Sequence, residues 1–130
     1  MLTARASQCR YRRGVSQHAR MSEHVAMKSV RLKPVRWCDD NFPGWIEVEL
    51  READGAVARL VDKAPIFDDT DTLAPGSPLP TEFRFPCDVL SRDVDSAGSI
   101  SALVRLQFGL EDRQGRTTFR VNAHDIVDTL

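Results

Sequence analysis

The residues that could carry out covalent or acid–base chemistry are few and scattered. Nucleophilic catalysis requires a Ser, Cys or Thr beside a base, but His124 is the only histidine in residues 27–130. No G-x-S-x-G sequence, which would place a serine on a nucleophile elbow, occurs in the chain. A single histidine near a terminus is usually a surface residue. We therefore assign no catalytic residue and expect a protein that is not an enzyme.

Candidate metal ligands are equally dispersed. Cys38, Cys87 and His124 offer zinc-type donors, but they belong to three separate predicted elements and lack the close spacing of a zinc site. The aspartates at 39–40 and within 68–71 could together form a carboxylate cluster for calcium. The 68–71 run lacks the Gly and the distant Glu of an EF-hand loop, and acidic loops are usually solvated. We predict no metal and no cofactor.

The three cysteines do not predict a disulfide framework. Cys9, Cys38 and Cys87 are widely spaced, odd in number and never arranged as C-x-x-C. Cys87 alternates with Phe83 and Phe85, so we expect it to pack in the core as a small hydrophobic residue. Reduced thiols in a cytoplasm are the simplest interpretation. No apolar run approaches the roughly 20 residues that span a bilayer, so no membrane partner is expected.

The charge distribution separates a leading segment from the rest of the chain. Residues 1–26 contain five Arg and one Glu, or +4, and the remainder contains 13 basic and 18 acidic residues, or −5. The leading segment lacks periodicity and is interpreted as a disordered basic tail or an extension from a misplaced translation start. Residues 27–130 are predicted to form one domain. Its acidity argues against nucleic acid as a partner, although Arg31, Lys33 and Arg36 form a basic strip.

From Met27 onward, hydrophobic and polar residues alternate as they do in half-buried strands. We predict a first strand over residues 28–37, a second over 45–52 and a third over 56–62. Asp54-Gly55 predicts a three-residue hairpin loop with Gly55 in the left-handed conformation, because this loop keeps Arg59 on the polar face. The predicted register sets Arg59 opposite Glu49, and Ala58 and Leu60 beside Leu50 and Val48.

The remaining segments complete an all-β domain. Residues 64–81 contain four prolines and are predicted to be irregular. Strands are predicted over 83–89, over 100–108 with Phe108 in phase with the core face, and over 117–121. The turns between them are expected at 91–99 and 112–115, and the end, 124–130, is read as either one helical turn or a short strand. Six strands with short turns predict a small, mainly antiparallel barrel or curved sandwich. The predicted core contains Ile46, Val48, Leu50, Leu60, Phe83, Phe85, Val104, Leu106 and Phe119.

The stretch WCDDNFPGW contains both tryptophans of the chain and is predicted to be a loop closed by two strands. If the first strand is regular, Trp37 pairs with Trp45, Lys33 lies opposite Glu49, and both indoles point away from the core. The alternative is that a bulge at Pro34 or Gly44 turns one or both indoles inward, or that the long irregular loop covers them. An exposed aromatic pair surrounded by charge has the composition of a binding hot spot.

A resemblance rests on WCDDNFPGWIEVEL, the turn EADG, the segment VDKAPIF, and the later FRFPCDVL and FGLEDRQGRTTFRV. These segments resemble small uncharacterised bacterial proteins that share a frame of Trp, Asp and Pro-Gly-Trp-[Ile/Val]-Glu, followed by an [Glu/Asp]-Lys-x-Pro step. The resemblance covers roughly residues 28–128. Some of those proteins are similar to immunity proteins, which neutralise a toxin by binding it. The group implies no established activity, cofactor or catalytic residue.

Two classes of function follow from these residues. The favoured hypothesis is a non-catalytic binding protein, immunity-like in its use of another protein as partner. Its candidate partner-binding residues are Trp37, Asp39, Asp40, Trp45 and Lys63. The rival is a small-ligand or metal-binding barrel that uses aspartates at its mouth, and a nucleic-acid-binding module of OB type is a lesser alternative. The sequence does not fix an oligomeric state.

Overall fold

The computed structural model describes residues 28–68 and 73–128. The predicted tail, residues 1–26, and residues 69–72 of the acidic run lie outside the described residues. The described part forms an antiparallel, curled sheet shaped as a half-barrel, which confirms the predicted all-β fold class. Its strands are β1 (Lys28–Asp39), β2 (Trp45–Arg51), β3 (Val57–Lys63), β4 (Phe83–Val94), β5 (Ile100–Leu106), β6 (Thr118–Asn122) and β7 (Ile126–Asp128).

The long strand β1 organises the sheet, whose order is β3-β2-β1-β4-β5-β6. Residues 28–32 of β1 pair with β4 along one edge. Along the other edge, residues 28–30 pair with β7 and residues 33–39 pair with β2. Because its two halves pair with different strands, β1 joins the β2–β3 hairpin to the rest of the sheet.

The predicted β2–β3 hairpin is confirmed in loop and register. Glu49 pairs with Arg59, and Leu50 pairs with Ala58, as the three-residue loop requires. Gly55 has φ +94°, and its N–H donates to the Glu52 carbonyl at 3.0 Å. A left-handed backbone conformation at this loop position favours glycine, because glycine has no Cβ that would clash with the backbone.

One hydrophobic cluster fills the concave side of the sheet, and all nine predicted core residues belong to it. Cys87 is also buried there as a free thiol. Its burial, together with the charge of Asp88, raises the pKa of the thiol to about 12. Cys38, in contrast, is disulfide-bonded, so the expectation of reduced thiols is wrong for this residue.

The region from β4 to β5 differs from the prediction. The expected turn at 91–99 is shorter, because β4 continues to Val94 after a bulge between Val89 and Ser91. Residues 90–100 are exposed throughout, so this hairpin extends past the core, and Ile100 is 48% exposed although it is in phase with the core face.

Phe108 is a second departure from the expected fifth strand. It lies in the 3₁₀ turn Gln107–Gly109 with φ 60° and is 62% exposed. The strand ends one residue before this turn, at Leu106, so the predicted alternation does not reach Phe108. Its ring still meets the buried Phe85 edge-on, with 5.9 Å between centroids.

Two short elements complete the fold. The irregular 64–81 stretch begins with a single helical turn, α1 (Ala64–Phe67), whose Phe67 stacks on Phe83 in the core. At the end of the described residues, the 3₁₀ turn Ala123–Asp125 is followed by β7, so a helical turn and a short strand both occur where one or the other was predicted. Residues 129–130 lie outside the described residues. Among the described residues, no helix has the length and apolarity needed to cross a membrane.

Replacing Phe85 or Leu106 by Ala is expected to lower the free energy of unfolding by about 2 to 5 kcal/mol, because each change leaves a cavity in a packed core. Denaturant unfolding followed by circular dichroism measures the change. Val94→Ala, at the exposed end of β4, is the control and should alter stability by less than about 0.5 kcal/mol. Similar losses for all three variants would contradict the described core.

Candidate functional site

Two bulges in β1 decide where the candidate site residues lie. Lys33 lies opposite Glu49, as predicted, but the pairing then skips one residue of β1 between Pro34 and Arg36 and another between Trp37 and Asp39. An extra residue in one strand shifts the following side chains to the other face. Trp37 therefore pairs with Ile46 and not with Trp45, and the predicted tryptophan pair is wrong.

Trp37 lies on the core side of the sheet. Its ring packs against the hydrophobic cluster, and its Nε1–H donates to the carbonyl of Ser77 at 2.8 Å. The prediction that both indoles point away from the core is thus wrong for Trp37. The inward alternative is correct for this residue. A bulge at Pro34 turns the ring toward the core, and the long irregular loop covers the ring through Ser77.

Gly44 allows the loop to close over Trp37. Its backbone has φ +88°, and a Cβ at this position would lie 2.5 Å from Cζ3 of the Trp37 ring. The Gly44 N–H donates to the Asn41 carbonyl at 2.7 Å, and the Gly44 carbonyl accepts from the N–H of Ala64 at 2.8 Å. The base of the loop is consequently tied to Trp37, to its own turn and to the end of β3.

Trp45 lies on the opposite face from Trp37 and is half-buried. It pairs with Lys63 across β2 and β3, and Lys63 Nζ lies 5.8 Å from the centroid of the indole ring. This distance is within the range of a cation–π contact, which orients the ammonium group over the ring face. The structure therefore brings together the predicted site residues Trp45 and Lys63.

The two predicted aspartates have different roles in the loop. Asp39 pairs with Trp45, and its Oδ1 accepts a hydrogen bond from the backbone N–H of Asn41 at 3.0 Å. This hydrogen bond is of the kind by which aspartate stabilises the turn that follows it. Asp40 is exposed and lies beside Gly76 of the long loop. Asp39 therefore shapes the loop, and Asp40 presents a carboxylate to solvent.

Phe42 is the residue that the sequence analysis missed. It stands in the turn closed by Asn41 and Gly44 and is 88% exposed, the largest fraction among the exposed large hydrophobic residues described. Turn positions normally carry small or polar residues, so a phenylalanine between Asn41 and Pro43 was the available signal. We use the name tryptophan-loop surface for Asp39, Asp40, Phe42, Trp45 and Lys63.

The dispersed metal-type donors do not converge. Within residues 28–68 and 73–128, no group of three His, Cys, Asp or Glu side chains is arranged to hold a metal ion. His124 is exposed, and its Nε2 lies 3.8 Å from Asp125 Oδ1.

Comparisons of the chain with protein-family models, with curated proteins and with solved structures find no match. The interpretation of the site therefore depends on its own geometry.

Gly44→Ala is expected to destabilise the protein by about 2 kcal/mol or more, because the new methyl group must displace a packed ring while the backbone has a positive φ. Gly55→Ala is the matched control. Gly55 has a similar φ of +94° but nothing within 4 Å of an added Cβ, so only the backbone cost of about 1 kcal/mol should remain. Thermal and denaturant unfolding measure both, and equal losses would show that Trp37 does not pack on Gly44.

Proposed function

We propose that this chain is a non-catalytic binding protein that recognises another protein through the tryptophan-loop surface. The observation that carries the proposal is Phe42, whose ring is almost wholly exposed at the tip of a loop with a fixed base. An exposed phenylalanine loses solvent contact only when a partner covers it, and this burial would favour association. Asp40 of the same loop and Lys63, which pairs with Trp45 at the base of the loop, are the charged residues of this proposed interface.

The loop is pre-organised for such binding. Trp37 and Gly44 hold its base from the core side, and Asp39 holds the turn itself. A loop already fixed in one conformation loses less entropy on association than a flexible one. Trp37 thus acts as a positioning residue in this proposal, and Phe42 takes the role of the central aromatic contact.

The chemistry of the surface indicates the kind of partner. Phe42 requires an apolar pocket, and the exposed carboxylate of Asp40 favours a cationic group at the rim of that pocket. The resemblance to bacterial proteins that include immunity-like members supports a toxin as the partner protein. A cytoplasmic location belongs to the same proposal, but the disulfide of Cys38 argues against it, since disulfides are rare in a reducing cytoplasm. Mapping the oxidation state of Cys38 in protein from its natural cells tests this part of the proposal, and a reduced Cys38 would support it.

Phe42→Ala is expected to weaken partner binding by about tenfold or more, because a central aromatic contact contributes about 2 kcal/mol or more to an interface. The tagged protein and its variants are purified from the cells that naturally produce it, and co-purifying proteins are quantified by mass spectrometry. A partner protein should be depleted with Phe42→Ala while the melting temperature stays unchanged, since an exposed ring contributes little to stability.

Val94→Ala is the control for this experiment, because it removes an exposed apolar side chain from a different part of the surface. Val94 lies at the end of β4 that is remote from the tip of β1, as the pairing of Leu32 with Phe83 and of Lys28 with Cys87 shows. The partner should be retained by this variant. Identical sets of co-purifying proteins for the wild type, Phe42→Ala and Val94→Ala would refute the proposed surface.

A further inference from the structure

A groove on the outer face of β2 and β3 has a lining unlike the rest of the protein. It has a volume of about 480 Å³ and is bounded by β1, the β2–β3 hairpin and the turn at 112–116. Glu47 and Asp112 line it together with four arginines: Arg36, Arg59, Arg113 and Arg116. Two further carboxylates, Glu49 and Glu52, pair with Arg59 and Arg116 from outside the lining. The groove is therefore distinguished by its density of guanidinium groups and not by a net positive charge.

Glu47 forms ion pairs with two of these arginines, Arg36 and Arg59. The sequence pattern places Glu47 on the solvent face of β2, yet its side chain is only 7% exposed, because Arg36 and Arg59 cover it. Arg36 Nε lies 2.8 Å from Oε1, and Arg59 Nη1 lies 2.8 Å from Oε2. One carboxylate thus faces two guanidinium groups and neutralises one of the two charges. Glu49, 3.4 Å from Arg59, adds a weaker contact from outside the groove.

The hydrogen-bond geometry leaves donors of Arg36 for a ligand. Glu47 Oε1 has no hydrogen-bond partner in the described structure, so its contact with Arg36 is an ion pair without the alignment of a hydrogen bond. Arg36 itself is partly exposed. A guanidinium has five N–H donors in a planar fork that fits two oxygens of a carboxylate or phosphate. Arg36 therefore has donors that Glu47 does not use.

The opposite side of the groove is fixed by Asp112. This buried carboxylate accepts hydrogen bonds from the backbone N–H groups of Gln114 and Arg116 at 2.9 and 2.8 Å, and from Arg116 Nε at 2.8 Å. Arg116 also donates to both oxygens of Glu52, and these carboxylates raise the pKa of Arg116 above its ordinary value. Three of the five N–H donors of Arg116 are therefore used within the protein, and the residue holds the turn in place.

Arg113 stands in the middle of that fixed turn and lines the same groove. It is exposed, and within the described part of the chain it forms no ion pair. A guanidinium without a carboxylate partner, carried by a fixed turn at the edge of an arginine-lined groove, is placed to meet an incoming anion. Arg36 and Arg59 line the groove as ion-paired guanidinium groups, and Arg113 adds a charge that no described carboxylate compensates.

We propose that this groove is a binding site for a small oxyanion with at least two negatively charged oxygens, of the phosphate or dicarboxylate class. Arg36 and Arg59, held together by Glu47, bind it from the strand side, and Arg113 closes the site from the turn. Charge-assisted hydrogen bonds from arginine are among the strongest non-covalent contacts to such anions. The volume of the groove is within the range of small-molecule sites. The site uses no residue of the tryptophan-loop surface and does not depend on the protein-binding function.

Isothermal titration calorimetry with inorganic phosphate and with succinate tests the site, with sodium chloride added to hold the ionic strength constant. At least one of the two anions should bind with a saturable heat and one-to-one stoichiometry, and the one that binds more tightly assigns the class. Arg36→Gln and Arg113→Gln should each weaken that binding by about tenfold, since each removes a charge-assisted contact worth about 1.5 kcal/mol or more. Arg113→Gln leaves every described ion pair intact, so it remains informative even if Arg36→Gln fails to fold.

Arg105→Gln is the matched control, because Arg105 is an exposed arginine of β5 that does not line the groove. It should change the affinity by less than about twofold, which is the effect expected from one remote, screened charge. Phe42→Ala should bind the anion as the wild type does, which separates this test from that of the protein-binding surface. The absence of saturable heat with both anions, or an affinity unaffected by Arg113→Gln, would overturn the proposal.

Discussion

The position of the Trp37 ring is the constraint on which the rest of the site depends. The ring is held on the core side by its packing against Gly44 and by its hydrogen bond to Ser77. It can reach that side only because β1 contains an extra residue between Pro34 and Arg36. Once the indole is fixed, the loop that follows must turn tightly at Gly44, and Phe42 projects outward from that turn. A partly buried aromatic ring thus supports an exposed one.

The same bulges organise the outer face of the sheet. They pair Arg36 with Glu47, which brings the guanidinium of Arg36 onto the carboxylate that Arg59 approaches from β3. Glu47, a polar residue of β2, is therefore buried by the two arginine side chains that lie over it and not by an apolar neighbour. The tryptophan-loop surface and the groove lined by Arg36, Arg59 and Arg113 therefore both depend on the bulges in the pairing of β1 with β2. The contacts that hold the base of the loop and Glu47 are present without a ligand, which would lower the entropic cost of the binding proposed for the two surfaces.

Much of this architecture could be predicted because the side-chain period of two survives through most strands. Alternation identified the core faces of β2, β3, β4 and β5, and the Asp54-Gly55 pair identified the hairpin and its register. The prediction failed where the period breaks. A bulge leaves little trace in sequence, since it depends on which neighbour a strand pairs with, and β1 has three neighbours. Trp37 was therefore assigned to the wrong face, whereas Trp45 was placed correctly on the face opposite the core.

Two further failures, at Ile100 and Phe42, have related causes. Alternation predicts which way a side chain points, but it does not show whether another layer covers that face. Ile100 keeps its phase and is nevertheless exposed, because the β4–β5 hairpin extends past the core. Phe42 was overlooked because a turn carries no period at all, so its exposure follows only from the geometry of the loop. The sequence predicts the faces of strands, and the ends of strands and the loops depend on tertiary packing.

Hydrogen exchange of the two indole N–H groups, followed by NMR, tests the central claim most directly. The Trp37 indole proton should exchange slowly, because it is donated to the Ser77 carbonyl and its ring lies against the core. The Trp45 indole proton should exchange faster by about tenfold or more, since a half-buried indole without a described hydrogen-bond partner gains no comparable protection. Fast exchange at both indoles, or slow exchange at Trp45 alone, would contradict the account.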